Sequence, residues 1–331
     1  MKLRSVVTPL LTLFVAACGV EAPTSEPELL EGEDVASTSD RLINAPLDYR
    51  HKWSVGVCSG PLNTDPAVGP VGACLQPGTR CTGSLIAPNL VLTARHCVHT
   101  IDYSQATDFC SGVFTTTPLS SAPVRITTSV STIGANPTWY DVDQVLTSPV
   151  TSASCAGDLV VLKLKKRVPL SVALPALVDL RELTTRKPAR VAVVGRGVID
   201  MIYDTTDYSP TVFDNGGLQR RVLENIPFVC VSNTFGDCVA PDIGAPFVVD
   251  TGYFQFGKSV LSGDSGAGIV RQWSFDLELP LIVGVNSAGT ADPVTGEPNF
   301  GFATRVDRHK SFLKSVFLKH AFGARANLLE D

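Results

Sequence analysis

The feature that most limits how this chain can fold is a succession of short apolar runs, each closed by turn residues. KWSVGV, GSLIA, LVLTA, VRITTSV, DLVVLKL, RVAVVG, APFVVD, AGIVRQ and LIVGVN follow one another along the chain. Each is too short for a helix and rich in Val, Ile, Leu or Thr, which suits a pleated, half-buried strand. The 27 glycines and 23 prolines supply the turns between them,. Only VDRHKSFLKSVFLKH (306–320) has helical spacing, with Phe312, Leu313, Val316 and Phe317 on one face,. Many short strands over about 270 residues predict an all-β fold, a sandwich or paired barrels.

The first residues belong to targeting rather than to that fold. Lys2 and Arg4 precede an apolar stretch, SVVTPLLTLFVAA (5–17), which is followed by Cys18. This is the pattern of an export signal, too short to span a bilayer. Val15-Ala16-Ala17-Cys18 is similar to a bacterial lipoprotein signal, whose cysteine becomes the lipidated first residue; ordinary cleavage after Ala17 is the alternative. The signal peptide is therefore placed at residues 1–17. Residues 19–40 carry seven acids and no base. Such a segment buries too little to offset its ordering entropy, so 18–41 is expected to be an acidic tether. An exported chain, in the cell envelope or released from it, follows.

Cysteine parity agrees. Nine cysteines less Cys18 leave eight, at 58, 74, 81, 97, 110, 155, 230 and 238. An even set in an exported protein predicts a disulfide framework. A net charge of −5 gives no footprint for nucleic acid,. No repeat of fixed period is visible.

Two stretches carry chemistry. LSGDSGAGIV (261–270) surrounds Ser265 with Gly263, Gly266 and Gly268 and sets Asp264 before it. Alone it reads more readily as a turn. A nucleophilic serine needs a base and a carboxylate to orient that base. Of the five histidines, His309 and His320 fall on the terminal helical pattern. His96 instead ends the hairpin CTGSLIAPNLVLTARHCV (81–98), which carries a cysteine at each end.

CTGSLIA…VLTARHC resembles the histidine segment of trypsin/chymotrypsin-like serine proteases, and GDSG (263–266) resembles their nucleophile segment. GDLVVLKL (157–164) supplies Asp158 in the family's place between them. The order His96, Asp158, Ser265 is the family's own, and it differs from that of subtilisins and α/β-hydrolases. VVGRG (193–197), with Arg196 at a tryptophan position, IPFVC (226–230) and GVNSAG (284–289) extend the resemblance across roughly 42–320.

The resemblance implies two six-stranded antiparallel β-barrels, at 42–175 and 176–305, with a terminal helix to 320 and a tail at 321–331. It implies a serine endopeptidase without metal or cofactor, acting on proteins or peptides as a monomer. Gly263 and Ser265 N–H groups would form the oxyanion hole, and residues 287–289 would pair with substrate. Ser259 falls at the pocket base, with Ser287, Gly289 and Gly301 also lining the substrate site. A neutral Ser259 and two glycines imply an open pocket for large apolar residues. Asp264 would be turned inward to meet a new α-amino group, created by a cut between Arg41 and Leu42. Alternatively, Arg41 is a linker residue and Asp264 is satisfied by a lysine or by N–H groups. The resemblance also implies the pairs Cys81–Cys97 and Cys230–Cys238. Three arrangements remain for the other four cysteines, of which Cys58–Cys74 with Cys110–Cys155 is preferred, because 58 and 74 bracket a Gly/Pro-rich insertion.

Departures concern specificity. The serine is followed by Gly-Ala-Gly, no cysteine follows it, and Ala288 stands where the family often has tryptophan. The rival reading is a non-catalytic surface lipoprotein that keeps the fold as a binding module.

Overall fold

The structure is a computed structural model. It describes residues 45–75, 80–184, 186–197, 200–203, 210–214, 218–233, 238–240, 247–248, 250–257, 263–291, 298–321 and 328–329. Cys18, Arg41, Leu42 and Ser259 lie outside the described residues.

The apolar runs do become strands, and the strands close into two barrels. The first comprises β1 (Ser54–Cys58), β2 (Arg80–Ala87), β3 (Leu90–Thr93), β4 (Arg125–Thr127), β5 (Trp139–Thr147) and β6 (Val160–Leu164). Its hydrogen-bonded order is β1-β2-β3-β6-β5-β4, closing back onto β1. The second comprises β7 (Arg190–Gly195), β8 (Arg221–Val231), β9 (Tyr253–Phe256), β10 (Gly268–Arg271), β11 (Leu281–Ala291) and β12 (Pro298–Arg305). Its order is β7-β8-β9-β12-β11-β10, and β10 pairs back onto β7. All twelve pairings within the barrels are antiparallel, and the two connection orders are the same, six strands apart.

The alternation in RVAVVG shows how the barrels meet. Val191 and Val193 pack into the second barrel's core with Phe254, Phe256 and Ile269. Ala192 and Val194, on the other face, join the cluster that fills the first barrel and the seam. Successive strand side chains point to opposite faces, so a strand buried on both sides reads as a continuous apolar run. A single-turn helix, α1 (Gln272–Asp276), follows β10. The terminal helix, α2 (Lys310–His320), is shorter than the helical pattern because Asp307–His309 forms a 3-10 turn. Leu313, Val316 and Phe317 are buried as that pattern predicts.

The strand runs were not all read correctly. APFVVD yields only Phe247–Val248, outside the barrel, while the barrel strand is YFQF at Tyr253–Phe256. Those four residues are interrupted by Gln255 and carry no Val, Ile or Leu, so they form no continuous aliphatic run,.

Four disulfides staple the fold: Cys58–Cys74, Cys81–Cys97, Cys110–Cys155 and Cys230–Cys238. These are the expected pairs, the preferred arrangement of the open four included.

Candidate active site

β3 ends at Thr93, and a 3-10 turn, Arg95–Cys97, carries the chain off the barrel. Cys97 is tied back to Cys81 at the start of β2, which fixes the turn and with it His96. One His96 ring nitrogen and the two cystine sulfurs lie within 4.8 Å of one another. Both sulfurs are spent in the disulfide, so this group is a brace for the histidine and not a set of metal ligands.

Asp158 lies in the loop that leads into β6. Its carboxylate accepts the His96 backbone N–H at Oδ1, 2.9 Å, and faces His96 Nδ1 at Oδ2, 2.7 Å. A carboxylate in that position only accepts, so the proton sits on Nδ1 and Nε2 is left as the basic nitrogen. The Asp158 side chain is 2% exposed and that of His96 26% exposed. The carboxylate is thus shut away while the imidazole keeps an open edge. Burial pushes the His96 pKa down, but the charge and hydrogen bond of Asp158 outweigh it, and the net shift is upward,.

The turn Gly263–Gly266 reaches across from the second barrel. The Ser265 carbonyl accepts the Thr82 N–H at 2.8 Å and lies 3.7 Å from Cys97 Sγ. The Thr82 hydroxyl donates to the Gly263 carbonyl at 2.9 Å. Gly266 has φ +84°, and a Cβ there would meet the Thr82 carbonyl oxygen at 2.1 Å. No other residue combines that backbone with that approach. Ser265 is therefore held one cystine away from His96. Among the described residues its hydroxyl makes no hydrogen bond to His96, a contact that often tightens only with substrate bound,.

The backbone donors of the turn divide into two sets. Gly266 N–H donates to the Asn286 carbonyl and Ala267 N–H to the Asp264 carbonyl. Among the described residues, no hydrogen bond occupies the N–H of Gly263 or Ser265. Gly263, at φ +98°, packs against Gly197 Cα and the Arg196 carbonyl, which sets the entry to the turn. Asp264 is fully buried, and its Oδ1 accepts the Gly197 N–H at 2.7 Å.

β11 contributes to both halves of the site. Its register on β12 slips between Asn286 and Ala288, so Ser287 is an extra residue in a bulge. Bulges re-aim side chains, and here both Asn286 and Ser287 are buried. Asn286 Nδ2 donates to the Asp264 carbonyl at 3.1 Å, bracing the serine turn. The Ser287 hydroxyl donates to Asp158 Oδ2 and is itself hydrogen-bonded to the Tyr253 hydroxyl. β10 pairs with β11 only as far as Val285, so beyond it that edge carries no strand among the described residues. Gly289 is exposed there. Gly301, opposite it in β12, is buried, and a Cβ on it would lie 2.2 Å from Phe256 Cζ. The room expected beside Gly301 is thus taken by the Phe256 ring.

Sequence reasoning missed Asn286, Tyr253 and Phe256, and gave Arg196 no role. Arg196 is buried and donates to the Ser54 carbonyl, the Ser54 hydroxyl and the Ser129 carbonyl, binding the end of β7 to the first barrel. A charged residue on a fully apolar strand, VVGR, was the signal available.

Residues 63–313 match the protein-family model described as Trypsin. The chain belongs to the trypsin family. No curated protein matches it. Among solved structures, it is similar to the scabies mite inactivated protease paralogue S-I1, at 19% identity and a TM-score of 0.48, over 81% of this chain and 96% of that one. As a trypsin-family chain it has proteins or peptides as its substrate class.

Proposed function

We propose that this chain is an active serine endopeptidase, with His96, Asp158 and Ser265 as its triad. The observation that carries the reading is the two-point grip of Asp158 on His96, beside a serine turn in which, among the described residues, no hydrogen bond occupies the N–H of Gly263 or Ser265. Ser265 Oγ attacks the scissile carbonyl while His96 Nε2 takes its proton, and Asp158 stabilises the imidazolium that forms. The carbonyl oxygen, now negative, rests on the N–H groups of Gly263 and Ser265. One such donor is worth about 10²–10³ in rate. Collapse expels the amine, which takes the proton from His96, and water then releases the acyl group by the same route.

The residue on the acyl side of the cut is neutral and apolar in this reading. Ser259 offers no counter-charge, and the Phe256 ring makes the Gly301 wall tighter than a bare glycine would. Substrate backbone adds to the open edge of β11 at residues 287–289. The decisive experiment measures hydrolysis of a peptide library by mature protein and by Ser265→Ala, His96→Ala and Asp158→Asn. Near-complete loss in each variant, with cleavage after apolar residues, is expected. Full activity in Ser265→Ala would refute the triad, and strong preference for Arg or Lys would refute the neutral pocket.

Export, anchoring and activation complete the proposal. Cys18 carries lipid, and a cut after Arg41 frees the Leu42 amine to pair with buried Asp264, releasing a monomeric catalytic domain from its acidic tether. Mass and N-terminal sequence of the precursor and of the active form check both steps. An acylated Cys18 followed by a form beginning LINAP is expected; an unmodified Cys18, or full activity in uncut protein, contradicts the scheme.

A further inference from the structure

Tyr253 lies on β9, a strand that the sequence did not reveal, and it is 1% exposed. Its ring stacks on Phe302, with centroids 6.4 Å apart and planes 21° from parallel. Its hydroxyl meets Ser287 Oγ, and Ser287 Oγ meets Asp158 Oδ2. The direction of these bonds follows from proton counting. An ionised carboxylate cannot donate, so the single Ser287 proton points at Asp158. The Ser287 oxygen is then the acceptor, and the Tyr253 proton must point at it. The result is one chain of donors, Tyr253 to Ser287 to Asp158 to His96.

We propose that Tyr253 is a positioning residue for the triad, setting the orientation and basicity of His96 through Ser287 and Asp158. This rests on the reading of His96 as base and Asp158 as its orienting carboxylate. Asp158 Oδ2 receives both the Ser287 hydroxyl and the His96 ring, and Oδ1 receives the His96 N–H. A hydroxyl that itself accepts a hydrogen bond is a stronger donor. Tyr253 therefore strengthens the Ser287 bond, spreads the carboxylate charge and weakens its field at the imidazole. Burial, then the charge of Asp158, pushes the Tyr253 pKa well up, so the phenol keeps its proton. The other ionisable groups that act on this chain are Arg95, whose guanidinium lies over Phe114 and feels Asp158, and Tyr103 and Asp250, which act on Tyr253. None of the three stands between Tyr253 and Ser287.

Tyr253→Phe keeps the ring on Phe302 and removes only the hydroxyl. The test compares wild type, Tyr253→Phe, Ser287→Ala and the double variant, by His96 NMR titration and by steady-state kinetics. In Tyr253→Phe the His96 pKa rises, its Nδ1 proton resonance shifts, and kcat falls about tenfold with KM unchanged, a loss of about 1.4 kcal/mol in the transition state. In the Ser287→Ala background the same substitution changes neither the titration nor kcat, because the link is already cut. An unchanged His96 titration in Tyr253→Phe, or an equal effect with and without Ser287, overturns the proposal. The titration needs only folded protein. A wild type that hydrolyses no peptide therefore refutes the protease reading, while the His96 shift still decides the role of Tyr253.

Discussion

His96 is where the chemistry of the site is most exposed to test. Its imidazole is held above the ordinary value of 6.5 because the Asp158 charge and hydrogen bond outweigh burial. Only the neutral form can take a proton from Ser265, so activity is lost as pH falls through a raised pKa. The acid limb of kcat/KM should therefore lie above 6.5,. Asp158→Asn removes the charge that raises it and frees the other tautomer, so activity should fall at every pH. A limb at or below the ordinary imidazole value in wild type would contradict this balance of burial and charge. The choice of His96, Asp158 and Ser265 was legible through the family resemblance, because each stands in one of its motifs and the three follow in its order. Asn286 and Ser287 were legible only as part of GVNSAG; the bulge that turns both inward depends on the register of β11 against β12, which no local pattern encodes.

At the scale of elements, the terminal helix shows how a piece outside the barrels supports the site. His309, in the turn before α2, is buried. Its Nε2 donates to the Ala156 carbonyl at 2.9 Å, so its Nδ1 accepts from the Ser148 hydroxyl at 2.6 Å. Ala156 is two residues from Asp158, and Thr304 on β12 donates to the neighbouring Cys155 carbonyl at 3.2 Å. The loop that presents Asp158 is thus pinned from the second barrel and from the helix. Burial lowers the His309 pKa despite opposing contributions from Ala156 and Asp307. The neutral form is therefore favoured in the fold, and the unfolded chain binds the proton first. Stability from this group is complete above 6.5 and declines as pH falls towards the folded value,. His309→Gln should flatten the fall in unfolding free energy between neutral and mildly acid pH, by up to about 1.4 kcal/mol per pH unit. Equal slopes in wild type and variant would remove His309 from the account. Sequence reading placed this histidine only on the terminal helical pattern, because helical periodicity identifies a face but not the loop that the face meets,.

At the scale of the whole molecule, two barrels of one connection order are joined by charge as well as by apolar packing. Arg220 and Asp48 are buried where the leading segment crosses the seam, with Arg220 Nε 2.9 Å from Asp48 Oδ2. Arg220 also donates to the Ser54 and Thr128 carbonyls of the first barrel, each at 3.3 Å. Burial alone would raise the Asp48 pKa, but the His51 ring, the Arg50 and His51 N–H groups and the Arg220 charge hold it below the ordinary carboxylate range. Removing one member of such a pair strands the other, at a cost of about 3–5 kcal/mol. Asp48→Asn should lower the unfolding free energy by that order, and an unchanged unfolding free energy would show that the seam does not need the pair. The two-barrel architecture was legible through the family resemblance, since the strand runs alone left a sandwich or paired barrels open. The seam was not, since Asp48 and Arg220 are far apart in sequence and look like ordinary surface charges, and the Arg196 signal in VVGR names no partner. The central claim is that this seam presents a working nucleophile at Ser265. Mature protein treated with a fluorophosphonate and mapped by peptide mass spectrometry tests it most directly. Covalent label on Ser265, abolished in His96→Ala, is the predicted result; folded mature protein that takes up no label, or is labelled at another serine, would contradict it.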